Sequence, residues 1–357
     1  MPRTIRGLRA RRRSAELRAR RLFRRSVLRR LYRDPGGGAE PTILVAGTGR
    51  SGTTWLADLI DAAVPTRLMF EPFHSRLVES FRSFPYFPYR RPDASDEALR
   101  EYSERVFTGR IRHSWVDRAV SHLRSDRRLV KEIRANLFLK WIKVQFPDLP
   151  LVFIVRHPCA VVASRIRCGW ATEGDLAPML AQPELVEDYL AERADLIEAA
   201  ERPEEKHALI WCIHNLVPLS QLAERDYCRV SFERLVSTPR RETARVLEYL
   251  GCSGSRLPDR RIGRPATTSL STSAVVRGES PLTHWRECLS SAQEERIQAI
   301  VDGFGLGELY RDRLGPAARG ARLSGCVAAT QGRCPAPHLA FVSAPGPVLT
   351  QPSDSGP

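Results

Sequence analysis

The stretch Thr42–Leu59, TILVAGTGRSGTTWLADL, most constrains what this chain can fold into. A short apolar, β-branched run passes through a turn rich in glycine and hydroxyl side chains, then continues with Trp55, Leu56, Leu59 and Ile60 at helical spacing. The pattern predicts a strand at 42–46, a loop, and a helix at 53–63. Gly47, Gly49 and Gly52 permit a tight turn whose successive N–H groups point inward, and the helix adds the positive end of its dipole. Such a turn cradles an anion, a phosphate or a sulfate. Gly47 and Gly52 have the spacing of a nucleoside-triphosphate loop, but Thr53 stands where that loop needs Lys and Thr54 where it needs Ser or Thr. A cation, Arg50, lies inside the turn instead.

A second strand-to-helix block, LVFIVRHPCAVVASRI at 151–166, places Arg156 at the carboxyl end of its strand and Ser164 eight residues later. The segment GTGRSGTTW at 47–55 resembles the 5′-phosphosulfate loop of sulfotransferases, in which Lys or Arg precedes Ser-Gly-Thr-Thr-Trp. In that family an Arg and a Ser spaced like Arg156 and Ser164 bind the 3′-phosphate of 3′-phosphoadenosine 5′-phosphosulfate (PAPS). FEPFH at 70–74, VKEIR at 130–134, and VSFERL at 230–235 followed by Thr238-Pro239 are similar to further segments of the carbohydrate-type branch. The resemblance runs from about Thr42 to Tyr310 and is loosest between Arg76 and Arg127.

The resemblance implies a PAPS-dependent sulfotransferase of EC class 2.8.2. The fold it implies is P-loop-containing α/β, three layers α/β/α, around a central, mostly parallel sheet of about five strands. It assigns Gly49, Arg50, Ser51, Gly52, Thr53, Thr54 and Trp55 to the 5′ side of the donor and Arg156 and Ser164 to its 3′-phosphate. Val276-Arg277-Gly278 is similar to the late loop that closes over the nucleotide in cytosolic sulfotransferases, which adds Arg277 and Gly278; read as residues, the piece is an ordinary exposed Arg-Gly turn. Trp55 packs on the adenine in relatives; read as a residue, it is equally a core side chain.

Periodicity supplies the remaining elements independently of the family. Strands are expected at 67–70, 129–132, 151–155 and 228–232, and helices at about 96–107, 113–124, 135–145, 183–225, 240–250 and 291–302. Strands separated by helices pair in parallel with right-handed crossovers, and ligands collect at the carboxyl ends of such strands. Those ends carry the 47–55 turn, Glu71, Lys131 with Arg134, and Arg156. Sulfuryl transfer needs a base for the acceptor proton and positive charge on the leaving and transferring oxygens. Arg50 and the turn N–H groups suit the charge. Glu71 is the first choice for base and His74 the competitor, whose plainer reading is a hydrogen-bonded structural residue. Lys131 and Arg134 are placed for the sulfuryl group or an anionic acceptor. No metal is demanded, because the basic groups do what magnesium does in phosphoryl transfer. The aromatic and proline-rich segment 81–93 reads as an acceptor wall or a packed loop, suiting a small-molecule or glycan acceptor.

The formal charge of +15 belongs almost wholly to the arm: residues 1–33 hold fourteen Arg and one Glu, or +13. The expected organisation is a basic arm and linker (1–41), a catalytic domain (42–314) and a disordered tail (315–357). The arm has no apolar signal region and fits an anionic membrane surface, a transit peptide or a solvated tail; nucleic acid is not an expected partner. The longest apolar run, 149–155, is strand length, so no transmembrane helix is expected. The eight cysteines form no C-x-x-C pair, which favours a reducing, cytoplasmic setting with the arm as a peripheral membrane contact. Two rival readings are a P-loop kinase or nucleotide hydrolase, which lacks its Lys here, and a nucleic-acid- or membrane-binding protein acting through the arm.

Overall fold

The computed structural model describes residues 31–267, 269 and 274–310, so the expectations for the arm before Leu31 and for the tail from Gly315 lie outside the described residues. Five strands, β1 (Thr42–Gly47), β2 (Thr66–Phe70), β3 (Arg127–Lys131), β4 (Leu151–Val155) and β5 (Cys228–Ser231), form one parallel sheet in the order β2-β3-β1-β4-β5. Ile43, Leu44, Val45 and Ala46 of the central strand are fully buried, as in a strand covered on both faces. Period-2 alternation sorts them into two cores. Leu44, Ala46, Met69, Val130 and Phe153 join one; Ile43, Val45, Leu68, Leu129 and Val152 join the other.

Each core is closed by helices, which gives the three layers. The second core is covered by α1 (Thr53–Ala63) through Leu56, Leu59 and Ile60. The first is covered by α2 (Glu97–Phe107), α3 (Leu139–Gln145), α4 (Pro158–Arg167), α5 (Glu173–Leu180) and α6 (Pro203–Gln221). Two further helices, α7 (Phe232–Ser237) and α8 (Pro239–Tyr249), return to the second core through Leu235 and Val246, and α9 (Ser291–Gly303) packs on the first through Ile297 and Ile300. From β1 the chain builds β2 and β3 to one side and β4 and β5 to the other, so the carboxyl end of β1 lies at the reversal of strand order, where a crevice opens.

The structure corrects several expected boundaries. The segment 113–124 is not a helix: it forms only a short 3-10 turn, Val116–Ala119. Val116 and Val120 imitate helical spacing, but Asp117 is held by Arg67 and by the His113 N–H, which ties the segment to the sheet instead. The stretch 183–225 is interrupted rather than continuous. It breaks before Pro203, where Glu205 accepts from the N–H groups of Glu201 and Arg202 and starts α6 afresh. Phe232 ends no strand; Ser231 caps α7 by accepting from the Arg234 N–H at 3.3 Å.

Two arginines at the amino ends of β2 and β3 have fully buried side chains. Arg67 donates to Asp34 (2.6 Å), Asp117 (3.0 Å) and the carbonyls of Gly109 (2.6 Å) and Ile111 (2.5 Å). Arg128 donates to Asp34 (2.9 Å from Nε) and to the Gly38 carbonyl (2.9 Å). These bonds dock the segment after the arm onto the pole of the sheet opposite the crevice. Arg67→Met leaves the buried Asp117 without its cation, while Asp34 keeps Arg128, and is expected to cost about 3–5 kcal/mol. The check is the urea midpoint, and an unmoved midpoint would show that the network carries no net stability.

Candidate active site

The 47–52 turn takes its shape from two close approaches. Gly52 lies at φ 94°, and a Cβ there would meet the Phe232 ring at 2.5 Å. A Cβ on Gly49 would meet the Trp170 ring at 2.7 Å, so this glycine lets Trp170 lie against the turn. Within the turn the Ser51 N–H donates to the Thr48 carbonyl (3.0 Å), while Asn215 of α6 donates to the Thr48 hydroxyl (3.0 Å). The turn then runs into the amino end of α1, where Thr53 and Thr54 are buried.

Among the described residues, Arg50 (φ 78°) and Glu71 (φ 48°) are the non-glycine residues with left-handed backbone. Each such conformation costs on the order of 1–3 kcal/mol and persists where the surroundings impose it. Both line a cavity of about 680 Å³, together with Lys131, Arg156 and Ser164.

Three bonds join the turn at 47–52, the 151–166 block and the Pro281 segment into one cradle. Arg50 Nε donates to the Ser164 hydroxyl at 3.0 Å, Arg156 Nη1 donates to the Arg50 carbonyl at 3.1 Å, and Arg156 Nη2 donates to the Pro281 carbonyl at 2.9 Å. The Arg156 guanidinium lies 4.1 Å from the Phe232 ring centroid, and Trp55 meets the same ring edge-on at 6.0 Å. Burial pulls the Arg156 pKa down to about 10, so it remains a cation at neutral pH. Arg156 Nε and the Ser51 hydroxyl are buried without a partner. Orphaned donors beside an anion-shaped turn fit a multiply charged phosphate ligand.

At the end of β2 the arrangement is ionic. Glu71 is paired with Lys131 through a short hydrogen bond and with Arg134 at 2.6 Å. Burial alone would raise its pKa; the charges of Lys131 and Arg134 and their hydrogen bonds outweigh it and hold the carboxyl at about 2. The stability these pairs give is therefore complete above the ordinary carboxylate range and is lost as pH falls toward 2. His74 also lines the cavity, and its Nδ1 lacks a partner. Burial, helped by the Arg134 charge, lowers its pKa to about 3, so the ring is neutral.

Glu132, inside VKEIR but not singled out from sequence, is fully buried and accepts from the N–H groups of Phe73 (2.8 Å), Ile133 (3.0 Å) and Arg134 (3.1 Å). Burial and then the Glu71 charge push its pKa up to about 7. It positions the loops that carry Glu71 and Arg134. Trp170 was also missed; a lone Trp after Gly169 was the available signal.

The expected late loop is only partly brought in. Gly278 lines the cavity. Arg277 does not; its side chain is half-exposed and pairs with Glu279 at 3.6 Å. The wall on this side is formed by Ile262, Arg264 and Pro265, held by Arg261 and the Thr267 N–H bonding Asp58 of α1 at 2.5 and 2.8 Å. The expected acceptor wall at 81–93 puts Tyr86 beside Arg134, whose Nη2 donates to the Tyr86 hydroxyl at 2.7 Å.

The family described as the sulfotransferase family matches residues 41–255. Among solved structures, the chain is similar to the sulfotransferase domain from the Synechococcus PCC 7002 olefin synthase, at 16% identity over 77% of this chain and 98% of that one, with TM-score 0.39. It is similar to mouse sulfotransferase SULT7A1 complexed with PAP, at 11% identity over 81% and 91%, with TM-score 0.41. A sulfotransferase from Alicyclobacillus acidocaldarius gives 14% identity over 73% and 96%, with TM-score 0.36. No curated protein sequence matches this chain. No helix among the described residues is long and apolar enough to cross a membrane.

Proposed function

This chain belongs to the sulfotransferase family, and we propose that it takes PAPS as donor and sulfates an acceptor hydroxyl by in-line transfer, with Glu71 as base. The observation that carries the reading is the cradle itself: Arg50 bonded to Ser164, and Arg156 bonded to the Arg50 carbonyl, all lining one cavity. In this reading Arg156 and Ser164 hold the 3′-phosphate, while the turn N–H groups, Ser51, Thr53 and Thr54 hold the 5′ side. Trp55 and Phe232 offer aromatic surface to the base. Gly278 closes part of the wall, and Arg277 has no assigned part.

The donor supplies an SO₃ group on a bridging phosphate oxygen. The acceptor oxygen forms the new S–O bond as that bridge breaks, and the acceptor proton passes to Glu71. A carboxylate with so low a pKa is a weak base, yet it suffices, because an oxygen becoming bonded to SO₃ turns its O–H strongly acidic and proton transfer comes late. Arg50 and the turn N–H groups stabilise charge on the leaving oxygen; Lys131 and Arg134 fix the carboxylate and face the transferring oxygens. His74, neutral with an open Nδ1, is a hydrogen-bond partner for the acceptor. The catalytic domain is taken as 42–314, with the arm as a tether rather than a part of the chemistry.

Calorimetric titration with 3′-phosphoadenosine 5′-phosphate, with magnesium ATP in parallel, tests the donor. Tight binding of the bisphosphate alone is expected; preference for magnesium ATP, or binding of neither, would overturn the reading. Deleting residues 1–30 is expected to leave donor affinity and turnover unchanged, and a loss of either would return the arm to the mechanism.

A further inference from the structure

Beside the donor cavity lies a second one of about 240 Å³, and the two share Gly49, Ile133, Arg134 and Trp170 as a common wall. Three guanidinium groups line it, those of Arg76, Arg134 and Arg165, against one carboxylate, that of Asp175. Arg165 is fixed by Asp175 (2.5 Å) and by His207 Nδ1 (3.0 Å). Arg76 bonds the Gly174 carbonyl (2.5 Å) and stacks 3.7 Å from the Tyr86 ring centroid. The Tyr86 hydroxyl in turn accepts from Arg134, whose other arm holds Glu71. The cavity is therefore one guanidinium away from the proposed base.

His214 of α6 also lines it. The residue is 1% exposed, and neither ring nitrogen has a partner. Burial and the Arg165 and Arg134 charges keep it neutral, so one nitrogen carries a hydrogen to donate. Arg134 Nε is likewise buried and unpartnered. Buried polar groups without partners, facing a space ringed by an excess of positive charge, describe a site for an oxyanion.

Resting on the sulfotransferase reading, we infer that this second cavity is an acceptor subsite: it takes a carboxylate or sulfate carried by the acceptor, held by Arg76, Arg165 and His214, and so presents a neighbouring hydroxyl to Glu71. The acceptors are anionic molecules. Arg134 bridges the two halves of the site, and Trp170 forms the partition between acceptor anion and donor turn.

The test uses the full-length protein saturated with 3′-phosphoadenosine 5′-phosphate, which fills the donor cradle. Two probes, 4-hydroxybenzoate and its methyl ester, are titrated by calorimetry, and the histidine ring nitrogens are followed by NMR, with His214→Gln assigning the signal. The acid is expected to bind about tenfold or more tighter than the ester, the worth of one or two charge-assisted hydrogen bonds. The His214 signal should shift with the acid only. Arg76→Ala, an exposed position outside the proposed catalytic machinery, should erase the preference while leaving nucleotide affinity intact. Equal binding of the two probes, binding of neither, or an acid affinity indifferent to Arg76→Ala would overturn the inference. The first titration separates the two readings: nucleotide bound without acid selectivity removes only the subsite, whereas failure to bind nucleotide removes the donor assignment as well.

Discussion

Replacing Glu71 by Gln is expected to lower turnover by about two to four orders of magnitude, the usual contribution of a positioned base. Nucleotide affinity should stay near its starting value, because Glu71, at the end of β2, takes no part in the bonds among Arg50, Arg156 and Ser164 and pairs instead with Lys131 and Arg134. Gln keeps the shape and one acceptor oxygen for Lys131 or Arg134, but it cannot take the acceptor proton. It also leaves two buried cations without a counter-charge, so a fall in thermal midpoint should accompany the loss of rate. Single-turnover measurement at saturating donor isolates the chemical step. Unchanged turnover would pass the base role to His74, whose neutral ring is already in the proton-accepting form. His74→Ala is the matching control. A modest loss keeps it as a binding partner; a loss equal to that of Glu71→Gln would make the two one unit.

The second large effect is expected at Arg156. Its replacement by Ala should weaken binding of 3′-phosphoadenosine 5′-phosphate on the order of a hundredfold, about 3 kcal/mol, from charge-assisted bonds to a phosphate in a dry site. Part of that loss is indirect. Arg156 also ties the Arg50 carbonyl to the Pro281 carbonyl, so its removal loosens the turn and the opposite wall together. Ser164→Ala, which removes one hydroxyl and leaves Arg50 Nε without its acceptor, should cost less. At saturating donor much of the turnover of Arg156→Ala should return, since the lost interaction is common to ground and transition states. Calorimetry with the bisphosphate and with adenosine 5′-phosphate gives the decisive contrast. If both ligands weaken equally, Arg156 does not read the 3′-phosphate.

How much of this was legible in the sequence differs from element to element. α1 was readable to the residue and the turn before it to within one, since a glycine-rich turn between an apolar run and a helical pattern is specified by neighbours only a few positions apart. β4 and α2 were readable for the same reason. At 113–124 local spacing misled, because Asp117 is claimed by Arg67, fifty residues earlier in the chain. Arg127 and Arg128 look like solvent-side residues and were left outside β3, yet Arg128 is buried within it, neutralised by Asp34. Periodicity reports which face a residue prefers, and it is blind to a partner that makes a buried charge tolerable.

The sequence by itself determined the sort of chemistry proposed: a glycine-rich turn with its own cation, charged groups at the ends of parallel strands, and a near-neutral sequence following a basic arm. Those follow from residue type and short-range order. Only the tertiary structure decided how the groups are used. It paired Glu71 with two cations and placed Arg50 and Glu71 in left-handed backbone. It left Arg277 outside the cavity and opened a second, cationic space behind Trp170. The reason is that ionisation, strain and cavity shape depend on distances between groups sixty or more residues apart, such as Glu71 and Lys131, and those distances exist only once the sheet has assembled.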